Sequence, residues 1–132
     1  MKKGQLLNQP ISAVIAGMGH TDELVIGDAG LPIPAGPQRS DLALTGGIPA
    51  FLDTLDAVLS ELAVETAVIA TEMITISPNL YSAIQEHLGA VRIIHVPHEA
   101  FKVRTQSAKA IIRTGEFTPY ANIILLSGVV FG

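Results

Sequence analysis

A three-layer α/β/α sandwich around a mainly parallel sheet is the fold class this sequence predicts. Two patterns carry the prediction. Short apolar runs of strand length recur at Leu24-Val25-Ile26, Ala67-Val68-Ile69-Ala70, Val91 to Val96, Ala110-Ile111-Ile112 and Ile123 to Leu126. They read as continuous hydrophobic stretches, as strands covered on both faces do. Segments with helical spacing and helix boundary signals alternate with them. The length of 132 residues suits a single domain, residues 1–132, with one core.

Taken in order, Asn8 is placed to cap a first helix running to about Gly17, with Pro10 in its first turn. Ile11, Val14, Ile15 and Met18 recur at helical spacing, and Gly17 and Gly19 end it. The strand at Leu24-Val25-Ile26 closes on Asp28-Ala29-Gly30. Three prolines in Leu31 to Pro37 forbid regular structure and predict a fixed loop. Ser40 to Leu44 reads as a short strand broken by Gly46-Gly47. Pro49 opens a helix to about Leu62, with Phe51, Leu52, Leu55, Val58 and Leu59 on its apolar face. After the strand at Ala67–Ala70, Ser77-Pro78 is a helix start and Gly89 its stop. Val91 to Val96 is the next strand, and Pro97-His98-Glu99 opens a helix to about Ala108. Ala110-Ile111-Ile112 and Ile123 to Leu126, the latter continued by Val129-Val130, complete the set.

Hydrophobic residues make up 48% of the chain and charged residues 15%, with a mean hydropathy of +0.45. So apolar a domain must hide surface in a membrane or against copies of itself. A spanning helix needs about 20 apolar residues. The longest apolar stretch, Ile123 to Phe131, is shorter and is interrupted by Ser127 and Gly128. Met1-Lys2-Lys3 runs directly into Gly4-Gln5 with no apolar segment behind it, so no signal peptide is expected. Self-association is the better account of the excess. Cysteine is absent, which removes disulfides, thiolate catalysis and Cys-based zinc sites and fits a cytoplasmic protein. The net charge of −4, the lack of a basic cluster, the absence of Trp and an aromatic content of 5% argue against nucleic-acid binding.

Polar residues gather where an α/β sheet places its chemistry, at strand ends and in loops. His20 stands in a loop within Gly19-His20-Thr21-Asp22. An imidazole there suits proton transfer near neutral pH, although an exposed surface histidine has the same pattern. Asp28 closes an apolar strand among glycines, where a ligand can approach the backbone or the carboxylate can simply cap a turn. His98 opens a helix, either as a proton acceptor or as an ordinary first-turn residue. His95 falls within a strand, and His87, beside Gln85 and Glu86, reads as solvated surface. Arg113 to Asn122 carries a charge pair, a turn, a phenol and an amide between two strands; the phenol and the amide suit a neutral polyol, although an ordinary polar loop has the same pattern. His20, Asp22, Asp28, His95 and His98 are good zinc ligand types, but no metal-binding spacing links them and no metal is expected. Phosphate loops, GxGxxG and the GxSxG nucleophile elbow are all missing.

Gly19-His20-Thr21-Asp22, Asp28-Ala29-Gly30-Leu31-Pro32-Ile33-Pro34 and Arg113-Thr114-Gly115-Glu116-Phe117-Thr118-Pro119-Tyr120-Ala121-Asn122 together resemble the D-ribose pyranase family, sugar mutarotases that include the fucose mutarotases. Met1 to Gly4 with Leu7-Asn8, Pro49-Ala50-Phe51, and His98-Glu99 with Phe101-Lys102 extend the match in order along essentially the whole chain, closest to the ribose type. The resemblance implies an α/β sandwich assembled into a ring-based homodecamer, with sites near subunit contacts. It implies free D-ribose as substrate, delivered by an importer and prepared for ribokinase, and no cofactor. It implies His20 as proton donor, with Asp28, His98, Tyr120, Ala121 and Asn122 contacting the sugar.

Ring interconversion needs one acid, one base and a shaped polar pocket. His20 is expected to protonate the ring oxygen and Asp28 to orient His20 or the sugar. His98 is the candidate base, with Tyr120 and Asn122 holding hydroxyls. Competing readings are a mutarotase for another sugar such as fucose, a non-catalytic sugar-binding accessory of a ribose transporter, and a metal-dependent hydrolase.

Overall fold

The computed structural model describes all 132 residues. Its elements are α1 (Gln9–Gly17), β1 (Glu23–Gly27), β2 (Gln38–Asp41), α2 (Phe51–Leu59), β3 (Val64–Ala70), α3 (Thr71–Ile76), α4 (Pro78–Leu88), β4 (Arg92–Val96), α5 (His98–Arg104), β5 (Ala110–Arg113) and β6 (Ile123–Ser127). The strands form one sheet in the order β2-β5-β1-β6-β3-β4. β1, β2 and β5 pair in parallel, as do β3 and β4, and β6 runs antiparallel between β1 and β3. The mainly parallel sheet is therefore as expected.

Alternation along the strands divides the interior in two. Leu24 and Ile26, Ala67 and Ile69, Ala110 and Ile112, and Ile123 and Leu125 face a larger core with Ile11, Phe51, Leu55, Val58, Met73, Ile84 and Leu88. Val25, Val68, Ile111 and Ile124 face a smaller one, closed by Phe101 of α5, Ala108 and Leu31. Helices α1 to α4 thus cover one face. On the other, α5 is helped by the proline-rich loop that follows Leu31, which explains why that loop is fixed.

Helix boundaries follow local chemistry. Asn8 caps α1, its side-chain oxygen accepting the Ile11 N–H at 3.0 Å. Pro78 stands in the first turn of α4, and Gly89, with φ 58°, ends it. Several expectations shift. β2 begins at Gln38 and ends at Asp41 because its partner β5 ends opposite, at Arg113. α2 starts after Pro49 and stops at Leu59. Val129 and Val130 follow β6 but lie outside the sheet. α3 is additional. It is only 6 residues long and has no side-chain cap at its start, so the sequence marks only its end, at Ser77-Pro78. His87 is also not free surface: its ring reaches the Ala83 carbonyl at 2.6 Å and Asp56 at 3.1 Å, tying α4 to α2.

Candidate active site

The sheet brings five of the six expected site residues to one end. Parallel β1, β3, β4 and β5 finish there, and antiparallel β6 begins there. Asp28 follows β1, His98 follows β4, and Tyr120, Ala121 and Asn122 lead into β6.

Asp28 and Asn122 clasp each other. The Asn122 side-chain oxygen accepts the Asp28 N–H at 2.8 Å, and its amide donates to Asp28 Oδ2 at 3.1 Å. Asp28 Oδ1 takes the Gly30 N–H at 2.9 Å. Gly27 permits this approach, since a Cβ there would stand 2.7 Å from Leu31 and 3.2 Å from the Asn122 oxygen. Asn122 is buried, so its amide serves chiefly to aim the half-buried Asp28 carboxylate. Ala121 is also buried and offers a ligand its backbone at most.

The loop before β6 is held by Glu116. Its carboxylate accepts the Phe51 N–H at 2.9 Å, at the first turn of α2, and the Thr118 hydroxyl at 2.8 Å. Burial works against the charge. Hydrogen bonds from the Phe51 N–H, the Thr118 hydroxyl and N–H, and the Phe117 N–H outweigh burial and hold the carboxyl below its ordinary value. The Glu116 carbonyl accepts the Ala29 N–H at 2.9 Å, so one residue braces both the Asp28 and Tyr120 loops. Tyr120 adopts φ 62°, a region that non-glycine residues seldom occupy. Its ring stands edge-on to His98, with centroids 5.1 Å apart.

His98 lies between Tyr120 and Phe101, stacked on the latter at 6.2 Å. Its backbone N–H is held by Glu72 of α3 at 3.0 and 3.2 Å. Its Nδ1 is buried and has no hydrogen-bond partner, an arrangement native interiors seldom keep without a use. Next to this cluster, Asp28, Arg113, Glu116, Phe117, Thr118 and Pro119 line a depression of about 580 Å³.

His20 is elsewhere. It precedes β1, whereas Asp28 follows it, and β1 interposes five residues, roughly 15 Å of strand. Within one chain, Asp28 therefore does not orient His20. Glu65 of β3 does: its carboxylate meets His20 Nε2 at 2.9 Å. Thr21, next to His20, has φ 70°, a marked outlier for a β-branched residue. Thr21 and Tyr120 are the two non-glycine residues with positive φ, and each adjoins one group of site residues. His20 opens onto a second hollow of about 450 Å³, lined also by Met18, Glu61, Val130 and Phe131.

Sequence reading missed Glu65, Glu72 and the bracing role of Glu116. Glu116 stood within a quoted motif. Glu72 lies in the unmarked helix α3, and Glu65 precedes the apolar run from which β3 was recognised. No group of three or more His, Cys, Asp or Glu side chains converges to hold a metal ion.

Comparison with known proteins gives consistent matches. The model of the RbsD / FucU transport protein family matches residues 1–130. A protein named D-ribose pyranase from Coprothermobacter proteolyticus is 58% identical over 131 residues, 99% of this chain and 100% of the relative. The structure of Bacillus subtilis RbsD complexed with D-ribose superimposes with a TM-score of 0.96 at 45% identity, covering 99% of this chain and 100% of that one. FucU from Bifidobacterium longum superimposes with a TM-score of 0.79 at 27% identity, covering 96% and 99%.

Proposed function

The chain belongs to the RbsD / FucU transport protein family, and on that premise we propose that it is an isomerase interconverting the pyranose and furanose forms of free D-ribose by acid–base ring opening. The observation that carries the reading is the polar end of the sheet. There the aimed Asp28 carboxylate lines an open depression, and the Tyr120 phenol and His98 imidazole pack against each other at the same end of the sheet, in a chain matched end to end by ribose-type relatives. Such groups suit a neutral polyol better than an anion. The lower similarity to FucU favours ribose over fucose as substrate.

The separation of His20 from Asp28 shapes the mechanism. A site using both is assembled from two copies, one presenting its His20 end to the Asp28 end of the other. Exposed apolar side chains flank both ends: Val130 (91%) and Phe131 (79%) follow β6 near His20, while Phe117 (74%) lines the depression by Asp28. Apolar rims of this kind are what subunit contacts cover. They support self-association, for which the ring-based homodecamer is the proposed form, in the cytoplasm. No helix is long and apolar enough to cross a membrane.

Ring opening breaks C1–O5. The electron pair goes to O5, which takes a proton from His20. The O1–H pair forms C1=O1, and its proton passes to His98 as base. Asp28 and the Tyr120 hydroxyl hold sugar hydroxyls, and the backbone at Ala121 and Asn122 shapes the floor. Rotation about C1–C2 and closure through another hydroxyl give the other ring, ready for ribokinase. The test is exchange between ribose ring forms, followed by saturation-transfer NMR with protein far below the sugar concentration. Acceleration supports the isomerase. Ribose binding without acceleration supports the transporter accessory instead, and faster exchange of fucose than of ribose moves the substrate.

A further inference from the structure

We propose that Glu65 is the positioning residue of His20: its carboxylate accepts the Nε2–H and leaves Nδ1 as the nitrogen that exchanges protons with the sugar. The inference rests on the reading of His20 as the proton-transferring group.

Two independent features of the backbone aim these side chains at each other. The first is in β3. Val64 pairs with Ser127 and Thr66 with Leu126, so Glu65 is the extra residue of a bulge in the β3–β6 ladder. A bulge re-aims a side chain at the expense of ladder hydrogen bonding. The second is the His20 loop. Thr21 keeps φ 70° while its N–H bonds the Ser127 carbonyl at 2.9 Å. Gly19 N–H bonds Asp22 Oδ2 at 2.9 Å, and the Ser127 hydroxyl bonds the Gly19 carbonyl. Gly128 completes the fit. A Cβ there would stand 3.3 Å from Glu65 Cβ and 3.4 Å from its N.

Both the bulge and the strained threonine cost stability. The ion pair they produce is 54% and 42% exposed at its two side chains, and exposed pairs return little stability. Strained residues of this kind cluster at functional sites. Chemically, an Nε2–H fixed on a carboxylate puts the neutral imidazole's lone pair on Nδ1, and the charged form donates from the same nitrogen. The Nε2–H stays on the Glu65 carboxylate and the proton moves only between Nδ1 and the sugar oxygen.

The test is Glu65→Gln in the full chain, checked for fold and assembly size. An amide at this position can also donate to Nε2 and so permits the wrong tautomer. The account predicts a fall in kcat of roughly 10- to 100-fold with KM for ribose held within about twofold. In ¹⁵N-histidine NMR the His20 signal, identified by its loss in His20→Ala, should move away from the Nε2–H tautomer. Glu65→Asp, which keeps the charge on a shorter arm, should recover part of both and serves where the glutamine variant folds poorly. Wild-type kcat and an unchanged His20 tautomer in Glu65→Gln overturn the proposal. Should the wild-type protein itself leave ribose exchange unaltered, the isomerase reading falls. The tautomer shift then decides the Glu65–His20 interaction by itself, and its absence overturns it.

Discussion

The two ends of β1 are built differently. At the Asp28 end, polar groups are packed and cross-braced: Asn122 clasps Asp28, Glu116 ties two loops to α2, and Glu72 holds the start of α5. At the His20 end, the pair with Glu65 is half exposed and adjoins the apolar residues that follow β6. One end is a braced cradle and the other an exposed imidazole–carboxylate pair beside an apolar rim. Under the proposed function, the contrast teaches that a fold can present the parts of one site on opposite ends of its sheet when a second copy is there to bring them together.

Changes at the two ends should therefore fail in different ways. The largest expected effect is at the exposed end. His20→Ala should slow ribose exchange by roughly 10²- to 10⁴-fold, measured by NMR, with the melting temperature nearly unchanged because the side chain is largely outside the core. Next comes Asn122→Ala at the braced end. It leaves the Asp28 N–H without its acceptor and should cost about 1–3 kcal/mol in denaturant unfolding, along with most of the exchange activity. Tyr120→Gly sharpens the contrast. It removes the backbone strain at φ 62° along with the ring facing His98. Exchange should drop about tenfold or more, while stability changes by no more than about 1–3 kcal/mol because the two effects oppose. The smallest effect concerns pH. The Glu116 carboxyl is held low in the folded chain, so the stability it contributes is present above its unfolded pKa and is lost as pH falls through the folded value. Melting temperature followed downward from about pH 5 should decline less steeply in Glu116→Gln than in the wild type.

Much of this was legible in the sequence. The apolar strands, the Asn8 cap, the Ser77-Pro78 start and the Gly89 stop announce themselves through strong local preferences. The residues of the braced end sit in a dense polar run, Arg113 to Asn122, and at a strand terminus, Asp28. Helix α3 was not legible because so short a helix starts without a cap and runs straight on from β3. Glu65 was not legible because its role depends on a bulge, a property of pairing with β6 and not of its own neighbours in sequence. The distance between His20 and Asp28, by contrast, could have been read from the predicted strand between them. Both flank one apolar strand, and only the extended rise of that strand places them at opposite ends.

The most direct test of the shared site is complementation. His20→Ala and Asp28→Ala chains, each inactive alone, would be co-expressed, purified as mixed assemblies and assayed for ribose ring exchange. The account predicts recovery toward about a quarter of wild-type activity at equal ratio, because some contacts then pair an intact His20 end with an intact Asp28 end. Mixed assemblies as inactive as either parent would contradict a site made by two copies.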